Sequence, residues 1–229
     1  MVPKIRKINR TFICKKCFGK IIVKNIPIID YKSIGISHDL YFNGLIKSCP
    51  HCGATYNKLT IDEKGQHSAG AVAFEVDGKI ADDVQILLAV GCRTTYSCQG
   101  HLRHKYGLKE PSLSIPYIAL KVDERSKWIC LALNGFIQKH SIDSLYIEEK
   151  IRDDWNWSSL NIHAKSYLYD YIHTESKFAE INDGVLNDIH KIMNDLVTGC
   201  FNANFDDVDI NKLNNVINTK PIIIDIDKM

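Results

Sequence analysis

The chain has 229 residues, of which 45% are apolar and 24% charged, with eight cysteines and a formal net charge of +2. That length supports one large domain or two small ones around a real hydrophobic core. No apolar run approaches the roughly 20 residues a membrane-spanning helix needs, and the basic start MVPKIRKINR lacks the apolar stretch of a signal peptide behind it. The expectation is a cytoplasmic protein with no membrane partner. Its thiols stay reduced and serve metal or chemistry before disulfides.

The small net charge hides an asymmetry. Residues 1–58 carry eleven Lys and Arg against Asp30 and Asp39, or +9, and the other 171 residues carry 18 basic against 25 acidic side chains, or −7. A basic head on an acidic body suits a module that touches a polyanion, and it equally suits a head that docks on its own acidic body.

Cys14-Lys-Lys-Cys17 opens the chain's chemistry and Cys49-Pro-His-Cys52 completes it after 31 intervening residues. Each CxxC turn aims two sulfurs at one point, and turn amides can stabilise the thiolates. Gly19 and Gly53 follow the pairs, where positive φ is useful. Four sulfurs in a closed tetrahedron suit one structural Zn²⁺ and leave no position for substrate. A redox CxxC would want one pair at a helix start, whereas here two matched pairs occur. His51, inside the second turn, reads as a surface residue. IIVKNIPII and LYFNGLIKS between the pairs are β-rich, with Asn43-Gly44 as a hairpin turn.

DEKGQHSAG (62–70) reads as a linker and AVAFEVD (71–77) as a strand. A helix follows, with Ile80, Val84, Leu87 and Leu88 at helical spacing and Gly91 as its stop. Cys92–Cys98 reads as a strand with Cys92, Thr94, Tyr96 and Cys98 on one face. LSIPYIALKV (113–122) is a strand interrupted at Pro116. A helix from Asp123 to about Lys139 turns Trp128, Ala132, Leu133, Phe136 and Ile137 inward. SLYIEEKI (144–151) and SLNIHAKS (159–166) form a hairpin around Asp153-Asp154, where Trp155 and Trp157 pack over the turn or stack on a base. Residues 167–201 read as helical, with Leu186, Ile189, Ile192, Met193 and Leu196 as a stripe. At least one of Tyr167, Tyr169 and Tyr171 is expected at the surface. PIIIDID (221–227) is apolar enough to add a terminal strand to a sheet edge, in this chain or a partner. Cys130 and Cys200 read as packing residues. The acidic run from Glu180 onward, nine acids against four lysines, is a solvated face or a protein-binding one.

The fold class is therefore α+β, in three segments: a zinc-binding module over 1–62, an α+β body over 70–166 and a helical extension over 167–229 with a terminal strand. The body's strand–helix–strand–strand–helix–strand order is the ferredoxin-like βαββαβ order, with an added hairpin strand.

TTYSCQGHLRHKYG (94–107) holds Cys98, His101 and His104, and residues 84–109 contain no acid. Three chemistries fit. A second zinc would use Cys98, His101 and His104, with Cys92, His67 or His163 as further ligands. A catalytic site would use Cys98 as nucleophile, activated by His101. An anion or nucleotide site would use Arg93, Ser97, Gly100, Arg103, His104 and Lys105, with Lys109 adding charge and Cys98 as a small buried hydrophobe. The bland reading leaves both histidines as ordinary surface or core residues.

Knuckle, strands, knuckle over residues 11–60 resembles the zinc ribbon family, whose ligands carry over onto Cys14, Cys17, Cys49 and Cys52. Gly91, Thr94, Ser97, Cys98, Gly100, His101 and the PYIAL strand at 116–120 form a Gly-x-x-Thr-x-x-Ser-Cys-x-Gly-His pattern. It resembles a recurrent group of bacterial and phage proteins, some with a zinc ribbon, and this resemblance implies a phage or mobile-element origin. Ser97-Cys98-x-Gly100 followed by a basic residue is also similar to the wybutosine-synthesis tRNA methyltransferase family, with His101 where Arg is expected. Together these readings point first to nucleic-acid or nucleotide binding through the basic module and the 91–109 loop. The alternatives are an RNA- or nucleotide-directed enzyme built on Cys98 and His101, and a protein-interaction module.

Overall fold

The computed structural model describes residues 7–27, 48–55, 60–61, 67–68, 73–103, 112–152, 157–170, 172, 174–202 and 208–229. Among these, the strands are β1 (Lys7–Cys14), β2 (Lys20–Pro27), β3 (Thr60–Ile61), β4 (His67–Ser68), β5 (Ala73–Val76), β6 (Thr94–Cys98), β7 (His101–Arg103), β8 (Ser112–Ser114), β9 (Tyr117–Lys121), β10 (Leu145–Arg152), β11 (Trp157–Ala164) and β12 (Ile222–Asp225). The α-helices are α1 (Ala81–Ala89), α2 (Glu124–Lys139), α3 (Glu175–Asn202) and α4 (Ile210–Asn218). The expected α+β class holds. No described helix is long and apolar enough to cross a membrane.

Contacts divide the chain into two compact units, residues 1–81 with 218–229, and residues 82–217. The divisions fall elsewhere than the three sequence segments. The strand before α1 belongs with the cysteine module, the long helix belongs with the body, and the last residues return to the first unit.

The first unit is a four-stranded sheet in the order β12-β2-β1-β5. β1 and β2 form an antiparallel hairpin whose turn is the first CxxC pair. Phe12, Ile21, Val23 and Ile26 bury their side chains together with Cys14, Cys49 and Ala73. The ladder slips between Ile8 and Arg10, and there Asn25 takes φ +61. A left-handed residue at a β-bulge is one of the few places Asn tolerates well. Asn25 also donates from Nδ2 to Asp225 Oδ1 at 2.8 Å, and Lys7 pairs with Asp227 at 2.6 Å. These contacts seat β12, which runs parallel to β2 at the sheet edge, as PIIIDID foretold. LYFNGLIKS, except Ser48, and the Asn43-Gly44 turn lie outside the described residues, as does most of the 62–70 linker.

The second unit is built on a sheet in the order β10-β11-β9-β6, antiparallel throughout. A ferredoxin-like order would put the strand before α1 between β10 and β9. β11 occupies that place instead, and β5 pairs with β1 in the first unit. A hairpin partner twelve residues away closes its loop at less entropic cost than a strand 70 residues upstream.

α1 ends at Gly91, whose φ of +94 lets the Cys92 amide donate back to Leu87 O at 2.9 Å. α2 starts at Asp123, whose side chain accepts from the Ser126 amide at 2.8 Å. Its buried stripe is Ile129, Cys130, Leu133 and Ile137; Trp128 lies outside it, beneath the Arg125 guanidinium. α3 buries Leu186, Ile189, Ile192, Met193 and Leu196 as its periodicity requires, and Cys200 is buried too. Tyr167 is exposed and Tyr169 buried. His190 of α3 sits 2.8 Å from the buried Asp83 carboxylate of α1, which holds the histidine above its ordinary range. β8 and β9 are separate strands on either side of Ile115 and Pro116. A bulge between Thr94 and Tyr96 breaks the expected alternation in β6: Tyr96 pairs with Ala119 and Cys98 with Tyr117, whereas Thr94 pairs with Leu120.

β11 is buried on both faces. Leu160, Ile162 and Ala164 join the apolar side with Leu145, Ile118 and Leu120, and α2 and α3 pack on β10. The alternate residues Ser159, Asn161 and His163 are also buried. Burial and the nearby Lys150 ammonium push His163 down to about 4. An unfolded chain takes up that proton near pH 6.5. The stability this neutral imidazole contributes is therefore complete above pH 6.5 and lost as pH falls toward 4. Urea titrations at pH 7 and pH 4 should show an acid loss with about 3 kcal/mol from this group. The His163→Phe variant should lack that increment, and an unchanged acid loss in it would refute the assignment.

Candidate functional site

The four knuckle cysteines converge. Cys14, at the end of β1, and Cys49 are buried, Cys17 is half-buried and Cys52 is exposed. Their sulfurs all lie within 4.8 Å of one another, with Cys14–Cys52 at 3.9 Å and Cys17–Cys49 at 3.8 Å. A tetrahedron with metal–sulfur arms of about 2.3 Å has edges of about 3.8 Å. A disulfide would bring two sulfurs to about 2.05 Å. The donor set and its spacing fit Zn²⁺ in a closed structural site.

The two turns repeat one design. The Phe18 amide donates to Cys14 O at 3.0 Å, and the Gly53 amide to Cys49 O at 2.8 Å. In each turn a sulfur accepts from the amide two residues on. Lys16 N–H reaches Cys14 Sγ and Gly19 N–H reaches Cys17 Sγ, both at 3.4 Å. His51 and Ala54 amides do the same for Cys49 and Cys52. The residue after each second cysteine takes the left-handed conformation, Phe18 at φ +60 and Gly53 at φ +68. Positive φ thus falls on Gly53, as expected, and on Phe18 in place of Gly19. A non-glycine there costs on the order of 1–2 kcal/mol.

Gly19 is small for a different reason. The His51 ring lies 2.5 Å from where a Cβ at Gly19 would stand. His51 Nε2–H donates to Lys20 O at 2.9 Å. His51 is therefore a strut tying the second knuckle to the hairpin, not the plain surface residue its position suggested. Burial pushes the Cys17 and Cys49 thiols up. Holding four thiolates here requires a cation, and the ion's charge supplies that compensation.

Of the 91–109 candidates, the structure brings Cys98 and His101 together. Cys98 is buried at the end of β6 and accepts from the Gly100 amide at 3.4 Å. Its sulfur lies within 4.8 Å of a His101 ring nitrogen. His101 begins β7 and is half-buried. Arg93 is exposed and Ser97 half-buried. Arg103 ends β7; His104, Lys105 and Lys109 lie outside the described residues. His163 is held elsewhere, by Tyr117, Tyr146 and Lys150, and Cys92 is raised to about 12 by burial. Gly100 takes φ +87, and a Cβ there would run into the Asn182 side chain. Asn182, buried on α3, donates to Gln99 O at 2.8 Å and accepts from Tyr169 Oη at 3.2 Å. The close approach that a glycine permits at this turn is to a helix side chain. A lone Asn 82 residues downstream gave no signal of that contact.

Comparison with family models, with curated proteins and with solved structures finds no match for this chain.

Two outcomes test these assignments. Stripping the metal with a strong chelator should abolish amide-exchange protection in β1, β2 and the knuckles, since a four-sulfur zinc site carries roughly 10 kcal/mol or more of apparent folding free energy. Protection in α2 and α3 should persist; retained protection in both units would contradict a structural ion. Gly100→Ala should cost about 2 kcal/mol or more, from strain at positive φ plus the clash, measured as a lower urea midpoint. An unchanged midpoint would show that the turn is not held against Asn182.

Proposed function

We propose that the protein is a zinc-stabilised nucleic-acid- or nucleotide-binding protein whose first unit engages phosphates. The observation that carries this reading is the segregation of charge between units. Residues 1–81 and 218–229 hold fifteen Lys and Arg against eight acids, +7, and residues 82–217 hold fourteen against nineteen, −5. Four thiolates and one Zn²⁺ would bring the first unit to about +5. The asymmetry thus survives the redrawn boundaries.

Part of that charge is already spoken for inside the unit: Lys7 pairs with Asp227 and Arg10 with Glu75 at 3.0 Å. Lys15 and Lys16 stand exposed at the tip of the first knuckle. The Lys16 amide is held by Cys14 Sγ, and both ammonium groups extend from a turn the metal would pin, which suits backbone phosphates. Arg93 is an exposed cation in the other unit.

Affinity for single-stranded oligonucleotides, measured by fluorescence anisotropy across a salt series, should fall linearly in log–log form. Lys15→Ala with Lys16→Ala should reduce the slope by about 2 and weaken binding alike for all sequences. Absence of binding at low salt, or binding indifferent to salt, would reject the reading.

A further inference from the structure

The second face of β11 breaks the rule the rest of the core obeys. Ser159, Asn161 and His163 are 3%, 4% and 8% exposed, yet all three are polar. The ladders place Lys150, Glu148 and Tyr146 of β10 beside them in that order, and Lys121, Ala119 and Tyr117 of β9 on the other side. Tyr96 and Cys98 of β6 extend the rows beyond Ala119 and Tyr117.

The row through His163 is a stack. Its ring lies between Tyr146 and Tyr117, with centroids 5.5 and 5.6 Å away and planes 18° and 27° from parallel. In the next row Ser159 and Asn161 satisfy each other, with Asn161 Nδ2 donating to Ser159 Oγ at 3.0 Å. Lys150 Nζ lies 3.3 Å from His163 Nε2 and 2.8 Å from Glu148 Oε1. A neutral imidazole that accepts from Lys150 at Nε2 carries its proton on Nδ1. That Nδ1 is buried and has no hydrogen-bond partner among the described residues, while Glu148 Oε1 is ion-paired with Lys150 and lies 3.4 Å from His163 Nε2. Orphaned groups of this kind destabilise a fold and call for an explanation.

We propose that this face of the β10-β11-β9-β6 sheet recognises an unpaired nucleobase, an inference that rests on the nucleic-acid reading above. The chemistry on offer at the partly exposed rim is mixed: Glu148 accepts and Lys150 donates. A simple anion would be opposed by Glu148 and a simple cation by Lys150. The edge of a base carries donors and acceptors in one plane and matches such a set. A base also has a π-face, and Tyr96, 62% exposed beside the small Ala119, gives it a ring to stack on.

The test compares homopolymeric single strands of each base with an abasic strand of equal length, at fixed salt. The wild type should bind one homopolymer on the order of tenfold more tightly than the abasic strand. His163→Phe keeps the ring row and removes the orphaned N–H, so its urea midpoint should hold or rise while the base preference is lost. Glu148→Gln should change which base is preferred. Both variants should keep the abasic affinity and the salt slope. Salt-dependent binding with no base preference, or a preference intact in both variants, overturns the base site and leaves the phosphate reading standing. No binding to any strand overturns both. Displacement by a free nucleoside monophosphate as well as by a strand would assign the site to a free nucleotide's base.

Discussion

Four sulfurs within metal reach of one another are the constraint on which the first unit depends. Its sheet has four strands, two of them only four residues long and one of those supplied from the far end of the chain. The buried apolar set around Phe12, Ile21, Val23 and Ile26 is small and includes two of the candidate ligands themselves, Cys14 and Cys49. Without a cation, those cysteines would be neutral thiols packed as small hydrophobes, with nothing to hold the two turns together. With one, they tie the β1–β2 turn to the 49–52 turn, and His51 locks the two through Lys20 and Gly19. The metal thus replaces core volume that a module of this size lacks.

The closed coordination also says where function is not. Four protein sulfurs around an ion would leave no site for substrate, so such an ion would shape a surface and not act on a ligand. The chemistry-bearing surfaces must lie around it or in the other unit. The charge separation and the polar face of β11 are the two features that packing alone does not explain. Under the proposed function, the first would supply diffuse attraction for phosphate. The other has the mixed donor and acceptor character that a discriminating contact needs.

Much of this was legible in the residues. Paired CxxC turns, the helices at 124–139 and 175–202, and an edge strand near the C-terminus all carry local signals: ligand spacing, period 3.6, a β-branched run behind a proline. What was not legible depends on long-range choices. AFEV reads as a strand whichever sheet it joins, and nothing local says that it pairs with β1. The sheet order of the second unit turned on that choice. Period-2 alternation failed at β6 because a bulge shifts one residue, an event the letters TTYSC do not announce. Gly19 and Gly100 looked like turn glycines. One is small because His51 lies across it, and the other because Asn182 does. The polar alternation Ser159-x-Asn161-x-His163 is plain in the letters, and only its burial makes it unusual.

Zinc K-edge X-ray absorption on the purified protein tests the central claim most directly. The account predicts one zinc per chain in a single shell of four sulfurs at about 2.3 Å. A shell containing nitrogen or oxygen, or a folded protein that carries no metal, would contradict it.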